Sequence, residues 1–148
     1  VENLKMLPAT DNNTLKQCLQ IRNAAFTLEK GVPKSIEIDE YDCLNDQCTH
    51  FLIQFKNENA GTIRCLKVSD TVIRIQRFCF YKHFRKDGLG KAVMEYIEKK
   101  YREKGIIKIV MDAKFEVCGF YEKCGYRKMS DLFIEAGIEH VKMEKNFI

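Results

Sequence analysis

A chain of 148 residues, 45% hydrophobic and 31% charged, holds enough apolar material for the core of one ordinary domain and too much for a disordered tail. Its formal charge of +4, from 25 Lys plus Arg against 21 Asp plus Glu, suits an anionic ligand. Without a dense basic stripe or a reader motif, it argues against nucleic acid as a partner.

No apolar run approaches the ~20 residues that a bilayer crossing needs, and no basic start leads into an apolar signal core. The expectation is therefore no membrane partner and a cytoplasmic location. The 7 cysteines, at positions 18, 43, 48, 65, 79, 118 and 124, mostly lie among apolar neighbours, as buried thiols in a reducing compartment do. Cys43, Cys48 and His50 miss the usual zinc spacing and lack a fourth ligand, so no metal is expected.

Residues 2–7 read as a first strand, closed by Pro8. Over 13–30, Leu15, Cys18, Leu19, Arg22, Ala25 and Phe26 recur near helical spacing. Gly31 suits the position after that helix, and Pro33 forbids continuation. The acidic stretch 39–47 reads as loop. Three strands follow, at 49–56, 62–68 and 71–80, with a hairpin turn over 57–61, and they suggest an antiparallel meander.

Residues 89–104 form an amphipathic helix whose stripe is Leu89, Val93, Tyr96, Ile97 and Tyr101, and Gly105 ends it. A strand at 106–113, a short helix at 115–124 and short strands at 126–129 and 140–145 complete the reading. A helix joining strand 71–80 to strand 106–113 fits a parallel βαβ unit. The fold class is α+β on a mixed sheet.

The stretch FRKDGLGK at 84–91 lies between that strand and that helix. Unpaired N–H groups at a helix start attract anions. Glycine lets the backbone turn sharply and approach a phosphate, and successive N–H groups make a nest for it. Arg85, Lys86 and Lys91 add positive charge. An ordinary two-glycine turn with a solvated basic face is the alternative. It is not a Walker A loop, because Ala92 stands where Ser or Thr is required. It is not a Rossmann fingerprint, because Val93 stands where the last glycine belongs.

Arg85-Lys86-Asp87-Gly88-Leu89-Gly90 matches in full the acetyl-CoA signature of the GCN5-related N-acetyltransferase (GNAT) family: Arg or Gln, two residues, Gly, one residue, then Gly or Ala. Lys86 replaces the Gly of a common form. The segment GFYEKCGYRKM at 119–129 resembles the family's Phe-Tyr-Glu-Lys-x-Gly-Phe, with Tyr126 for the last Phe. Residues 21–52 and the tail resemble the small bacterial ElaA- and YjcF-like branch, through Arg22, Phe26, Val32-Pro33, Glu37, Asp39, Asp42 and His50, then Glu135, Gly137, Ile138, His140 and Met143.

The resemblance implies one acyl-CoA N-acyltransferase-like domain over 1–148, with a mostly antiparallel central sheet flanked by helices and a βαβ cofactor-binding unit. It implies acetyl-CoA as cosubstrate and an N-acetyltransferase that acts by direct attack of an amine in a ternary complex. The non-catalytic alternative is an acyl-CoA sensor or protein-regulating module of the same fold. The diphosphate would sit over the N–H groups of Lys86, Asp87, Gly88, Leu89, Gly90 and Lys91, beside Arg85. The pantetheine arm would face the backbone of Phe78, Cys79 and Phe80. Tyr121 matches the tyrosine that often protonates the departing thiolate. Lys114 stands where Asn or Gln is frequent, a departure touching a cofactor contact.

For the proton of the acceptor, Glu37, Asp39, Asp42 and His50 are the candidates, with His140 a weaker one. A histidine titrates near neutrality, a carboxylate can relay through water, and the acids would attract a cationic amine. The plainer alternatives are a hydrogen-bonded His50 at a strand start and a solvated acidic loop. Cys79, in an apolar strand, reads as a small hydrophobe rather than a nucleophile. The expected assembly is a monomer or homodimer, and the acceptor is an unidentified small-molecule or peptide amine.

Overall fold

The computed structural model describes residues 1–86 and 88–148; Asp87, assigned above to the cofactor, lies outside the described residues. Among the described residues the strands are β1 (Leu4–Pro8), β2 (Cys48–Phe55), β3 (Glu58–Lys67), β4 (Val72–Phe80), β5 (Lys108–Lys114), β6 (Arg127–Lys128), β7 (Phe133–Glu135) and β8 (Ile138–Asn146). The helices are α1 (Asn12–Arg22), α2 (Lys34–Glu37), α3 (Leu89–Glu103) and α4 (Cys118–Lys123). The strands form one sheet in the order β1-β2-β3-β4-β5-β8-β6, with β7 paired to β8. Only β4 and β5 run parallel, joined by α3. This is the mixed, mostly antiparallel α+β architecture expected from the sequence.

Period-two alternation divides the core between the two faces of the sheet. Phe51, Ile53, Ile63, Cys65, Ile73, Ile75, Ile109 and Met111 pack with Val93, Met94 and Ile97 of α3. On the other face Leu52 and Cys79 pack with Cys18, Ile21 and Ala25 of the first helical segment. At roughly 1.5–3 kcal/mol per large apolar side chain, this two-sided burial fixes which face each strand residue presents.

Two local readings change. The helix predicted over 13–30 leaves α geometry after Arg22 and continues as a π-helical turn, Asn23–Leu28, in which the Glu29 amide donates to the Ala24 carbonyl at 3.1 Å. Gly31, at φ +73°, then ends it. The predicted turn over 57–61 is two residues, Lys56 and Asn57, both at positive φ (+51° and +67°), the twist a two-residue hairpin requires.

Gly61 therefore lies inside β3. There an added Cβ would come within 2.6 Å of both the Cys79 carbonyl oxygen and the Phe80 ring. The β7–β8 hairpin uses the same device at Ala136 and Gly137 (φ +52° and +75°), and β7 was absent from the sequence reading. So was α2, whose first turn closes on the Pro33 carbonyl.

Candidate active site

The site begins with an irregularity in β4. Thr62 pairs with Cys79, but Arg64 pairs with Gln76, so Arg77 and Phe78 together face Ile63. The extra residue is accommodated by Arg77 at φ +54°, a bulge that reverses the alternation beyond it. Ile73 and Ile75 face α3 before it, and Phe78 and Phe80 pack against that same cluster after it. Cys79 faces α1. The bulge also turns both Gln76 and Arg77 toward the α1 side, where their side chains find partners.

The ladder between β4 and β5 stops at Ile75 and Met111. Beyond it, residues 76–80 and 112–114 run on unpaired to each other, and the sheet opens. On the α3 side of the opening stand Phe78, Phe80 and Phe120, with Phe78 5.4 Å from Phe80 and 6.5 Å from Phe120 between ring centroids. Cys79 lines the other side. Burial pushes its thiol up to about 12, so at neutral pH it is no thiolate.

Residues 85–88 connect the opening to α3. Phe84 and Leu89 are buried at either end of this loop and pack with Ala60, while Arg85, Lys86 and Gly88 are exposed. Leu89 is core, so only its backbone is available to a ligand. Gly88 sits in the left-handed region at φ +69°, immediately before α3, and nothing lies within 4 Å of where its Cβ would be. Among the described residues no side chain caps the start of α3, and the exposed Lys86 and Lys91 make the surface around its first-turn N–H groups cationic.

Gly90 is close-packed instead: its Cβ would stand 3.0 Å from the Phe120 ring. Arg85 does not reach toward that surface. It forms a two-pronged ion pair with Glu29 (2.7 and 2.8 Å) and donates to the Phe80 carbonyl (2.8 and 3.1 Å), tying the end of β4 to the end of the first helical segment. Lys86 and Lys91 are exposed.

Tyr121, on α4, is 8% exposed. Its ring lies 5.1 Å from Phe120 and 6.0 Å from Tyr126. Burial raises its phenol above the ordinary value, which keeps the proton on. Tyr126 donates its hydroxyl to Glu98 at 3.0 Å; the Tyr121 hydroxyl has no such partner among the described residues.

The four candidates upstream come together, but as an ionic lattice. Arg22 donates to Glu37 (2.7–3.1 Å) and to both Asp42 oxygens. Arg64 donates to Asp39 (2.8 and 2.9 Å), Asp42 (2.9 Å) and Gln76 (2.8 and 3.1 Å). Arg77 donates to Glu37 at 2.8 Å and reaches Asp39 at 3.4 Å. Three arginines thus match three carboxylates, most of them sealed from solvent.

Burial alone would raise Asp39 and Asp42. Hydrogen bonds from Arg64 to Asp39, and from Arg22 and the Asp39 amide to Asp42, outweigh it and hold both carboxyls below the ordinary 3.8. The expectation that Glu37 or Asp39 stands free to take a proton, or attracts a cationic amine, meets a different arrangement: their charge is cancelled and their lone pairs are engaged.

His50 lies at the edge of the same lattice. Its Nε2–H donates to the Tyr41 carbonyl at 2.9 Å and its Nδ1 is buried without a partner. Burial lowers its pKa below 6.5. Arg64, Gln76 and Arg77 were not singled out from the sequence. The signal was present in Arg22, a charged residue inside an apolar helical stripe that demands buried acids.

A family model described as an acetyltransferase (GNAT) domain matches residues 24–147. YyaT of Bacillus subtilis is 38% identical over 136 residues, covering 92% of this chain and 91% of YyaT. YjcF of the same organism, an uncharacterised N-acetyltransferase, is 30% identical over 144 residues, covering 97% and 100%. The crystal structure of Escherichia coli ElaA shares the fold at a TM-score of 0.81 and 22% identity, over 97% of this chain and 98% of that one. A GNAT acetyltransferase from Elizabethkingia anophelis, solved with acetyl-CoA bound, does so at 0.75 and 18% identity, over 99% of each chain. This chain belongs to the GNAT acetyltransferases. Within that family it is similar to the ElaA- and YjcF-like proteins.

Proposed function

We propose that the protein transfers an acetyl group from acetyl-CoA to a primary amine by direct attack, with both substrates bound together. The observation that carries this is the start of α3: a helix terminus behind an open, left-handed Gly88, with no capping side chain among the described residues, beside the place where β4 and β5 part. The N–H groups of Lys86 and of 88–91 would hold the diphosphate. The backbone of Phe78, Cys79 and Phe80 would line the pantetheine arm, and an N–H freed by the bulge would polarise the carbonyl oxygen.

Acetyl-CoA supplies the activated thioester and a sulfur leaving group. As the amine nitrogen forms its bond to the carbonyl carbon and the C–S bond breaks, Tyr121 gives its proton to the sulfur, the nitrogen releases its surplus proton to solvent, and Tyr121 regains one from solvent. Glu37, Asp39 and His50 act by positioning: the carboxylates anchor Arg77 and hence the bulge. The acceptor's ammonium loses its proton to water before attack, because the engaged carboxylates are poor bases. Cys79, a protonated thiol, takes no covalent part.

The test is steady release of CoA thiol from acetyl-CoA across a panel of primary amines. Turnover whose alkaline inflection follows each amine's own pKa supports direct attack without an enzymic base. Tight acetyl-CoA binding with no turnover on any amine supports a sensor instead. Tyr121→Phe should lower kcat by roughly a hundredfold, the low end for a lost general acid, with acetyl-CoA affinity unchanged. Unchanged kcat in a chemistry-limited assay removes Tyr121 from that role.

A further inference from the structure

The acids on the open face of β5 and β8 mostly have partners. Asp112 lies 3.3 Å from Lys142 and 3.5 Å from Arg74. Glu135 faces the Nε2 of His140 at 3.7 Å, and the Nδ1–H of that ring donates to the Ile138 carbonyl at 2.8 Å. The Glu37, Asp39 and Asp42 charges are cancelled by Arg22, Arg64 and Arg77. Among the described residues, one half-buried cation at the opening has no such partner.

Lys114 is the last residue of β5 and the cross-strand partner of His140. It stands beyond the point where β4 and β5 part. Its ammonium lies 4.8 Å over the Phe26 ring, a contact that fixes where the charge sits. Among the described residues no carboxylate lies within ion-pair distance of it; Glu116, on the turn after β5, is exposed and farther away. Lys30 and Arg77 add positive charge nearby, and burial holds Lys114 below the ordinary lysine value. An incoming anion relieves that strain, and an incoming cation adds to it.

We infer that Lys114 is the specificity residue of the acceptor pocket and that the acceptor is a primary amine carrying a carboxylate. This deepens the proposed N-acetyl transfer and rests on it. Lys114 holds the carboxylate against Phe26 while the neutral amine faces the acetyl group beside Cys79. Polyamines and other polycations are disfavoured, because the acids that would have attracted them are already neutralised.

The experiment compares glycine, β-alanine, 4-aminobutyrate and 6-aminohexanoate with their uncharged amides and with spermidine, by CoA release from wild type and from Lys114→Gln. At least one carboxylate acceptor should exceed its amide in kcat/KM by about tenfold, the scale of one charge-assisted hydrogen bond. Lys114→Gln should abolish that preference through the acceptor KM and leave the acetyl-CoA KM unchanged. Calorimetry should show the acetylated product of the preferred acceptor binding the wild-type CoA complex more tightly than the variant's.

Turnover with no carboxylate preference, or with spermidine favoured, overturns the inference and leaves N-acetyl transfer standing. A shift in the acetyl-CoA KM alone makes Lys114 a cofactor contact and overturns it as well. Absence of turnover on every amine, with acetyl-CoA bound, removes the transferase reading and the inference with it.

Discussion

The lattice beside α1 joins β4 at its bulge, the loop before α3 leaves β4 a few residues further on, and the two work by opposite means. The loop offers backbone: exposed N–H groups, a left-handed glycine and two buried anchors, Phe84 and Leu89. The lattice offers side chains: Arg22, Arg64 and Asp42 are each 1% exposed and have no alternative partner in solvent. A backbone device tolerates most side-chain changes that keep its conformation. A buried charge array tolerates none that leaves a member unmatched.

The largest effect that tests this contrast is Arg22→Met. It leaves Glu37 with Arg77 alone and Asp42 with Arg64 alone, and should cost about 3–5 kcal/mol of folding free energy, read by urea denaturation. A loss below about 1 kcal/mol would mean that the lattice does not hold the fold. Gly88→Glu is the converse. It should weaken CoA binding roughly a hundredfold or more, by placing negative charge at a helix start. Its folding cost should stay near the roughly 1–2 kcal/mol of a left-handed non-glycine residue. Unchanged CoA affinity in the folded variant would remove the diphosphate from the start of α3.

Acid gives the smallest and most selective effect. His50 titrates below its ordinary 6.5, and Asp39 and Asp42 below their ordinary 3.8. Because the folded values lie below the unfolded ones, each group contributes fully above its unfolded value and loses that contribution as pH falls through the folded one. Stability should therefore begin to decline below about pH 6.5 and fall more steeply below about pH 3.8. His50→Gln should remove the first step alone, and Gly88→Glu should alter neither. A flat profile across this range would detach the lattice from folding.

The contrast also explains what the sequence made readable. The loop is contiguous: glycines, basic residues and the helix start fall within eight positions, so its place between β4 and α3 could be read directly. The lattice is dispersed from Arg22 to Arg77, and its pairs form only once α1, the 39–47 segment and three strands are packed. The acids and Arg22 were visible, but Arg64 and Arg77 were not. The bulge left no mark either, since an arginine at positive φ has no compositional signature. The turn at Lys56 and Asn57 was hidden by Gly61, which looked like a turn residue and instead makes room for Phe80. The π-helical turn after Arg22 follows no periodic rule that Asn23 or Ala24 announces.

The extra residue at Arg77 has a reach beyond its own strand. It sets the parity of everything that follows, so the aromatic wall, the Cys79 thiol and the arginine that grips Glu37 owe their orientation to one insertion. Straightening the bulge with Arg77 kept in the ladder would turn Phe78 and Phe80 toward α1 and swing Cys79 to the opposite side in a single step. The gap in the sheet and the charge array thus hang on the same backbone irregularity.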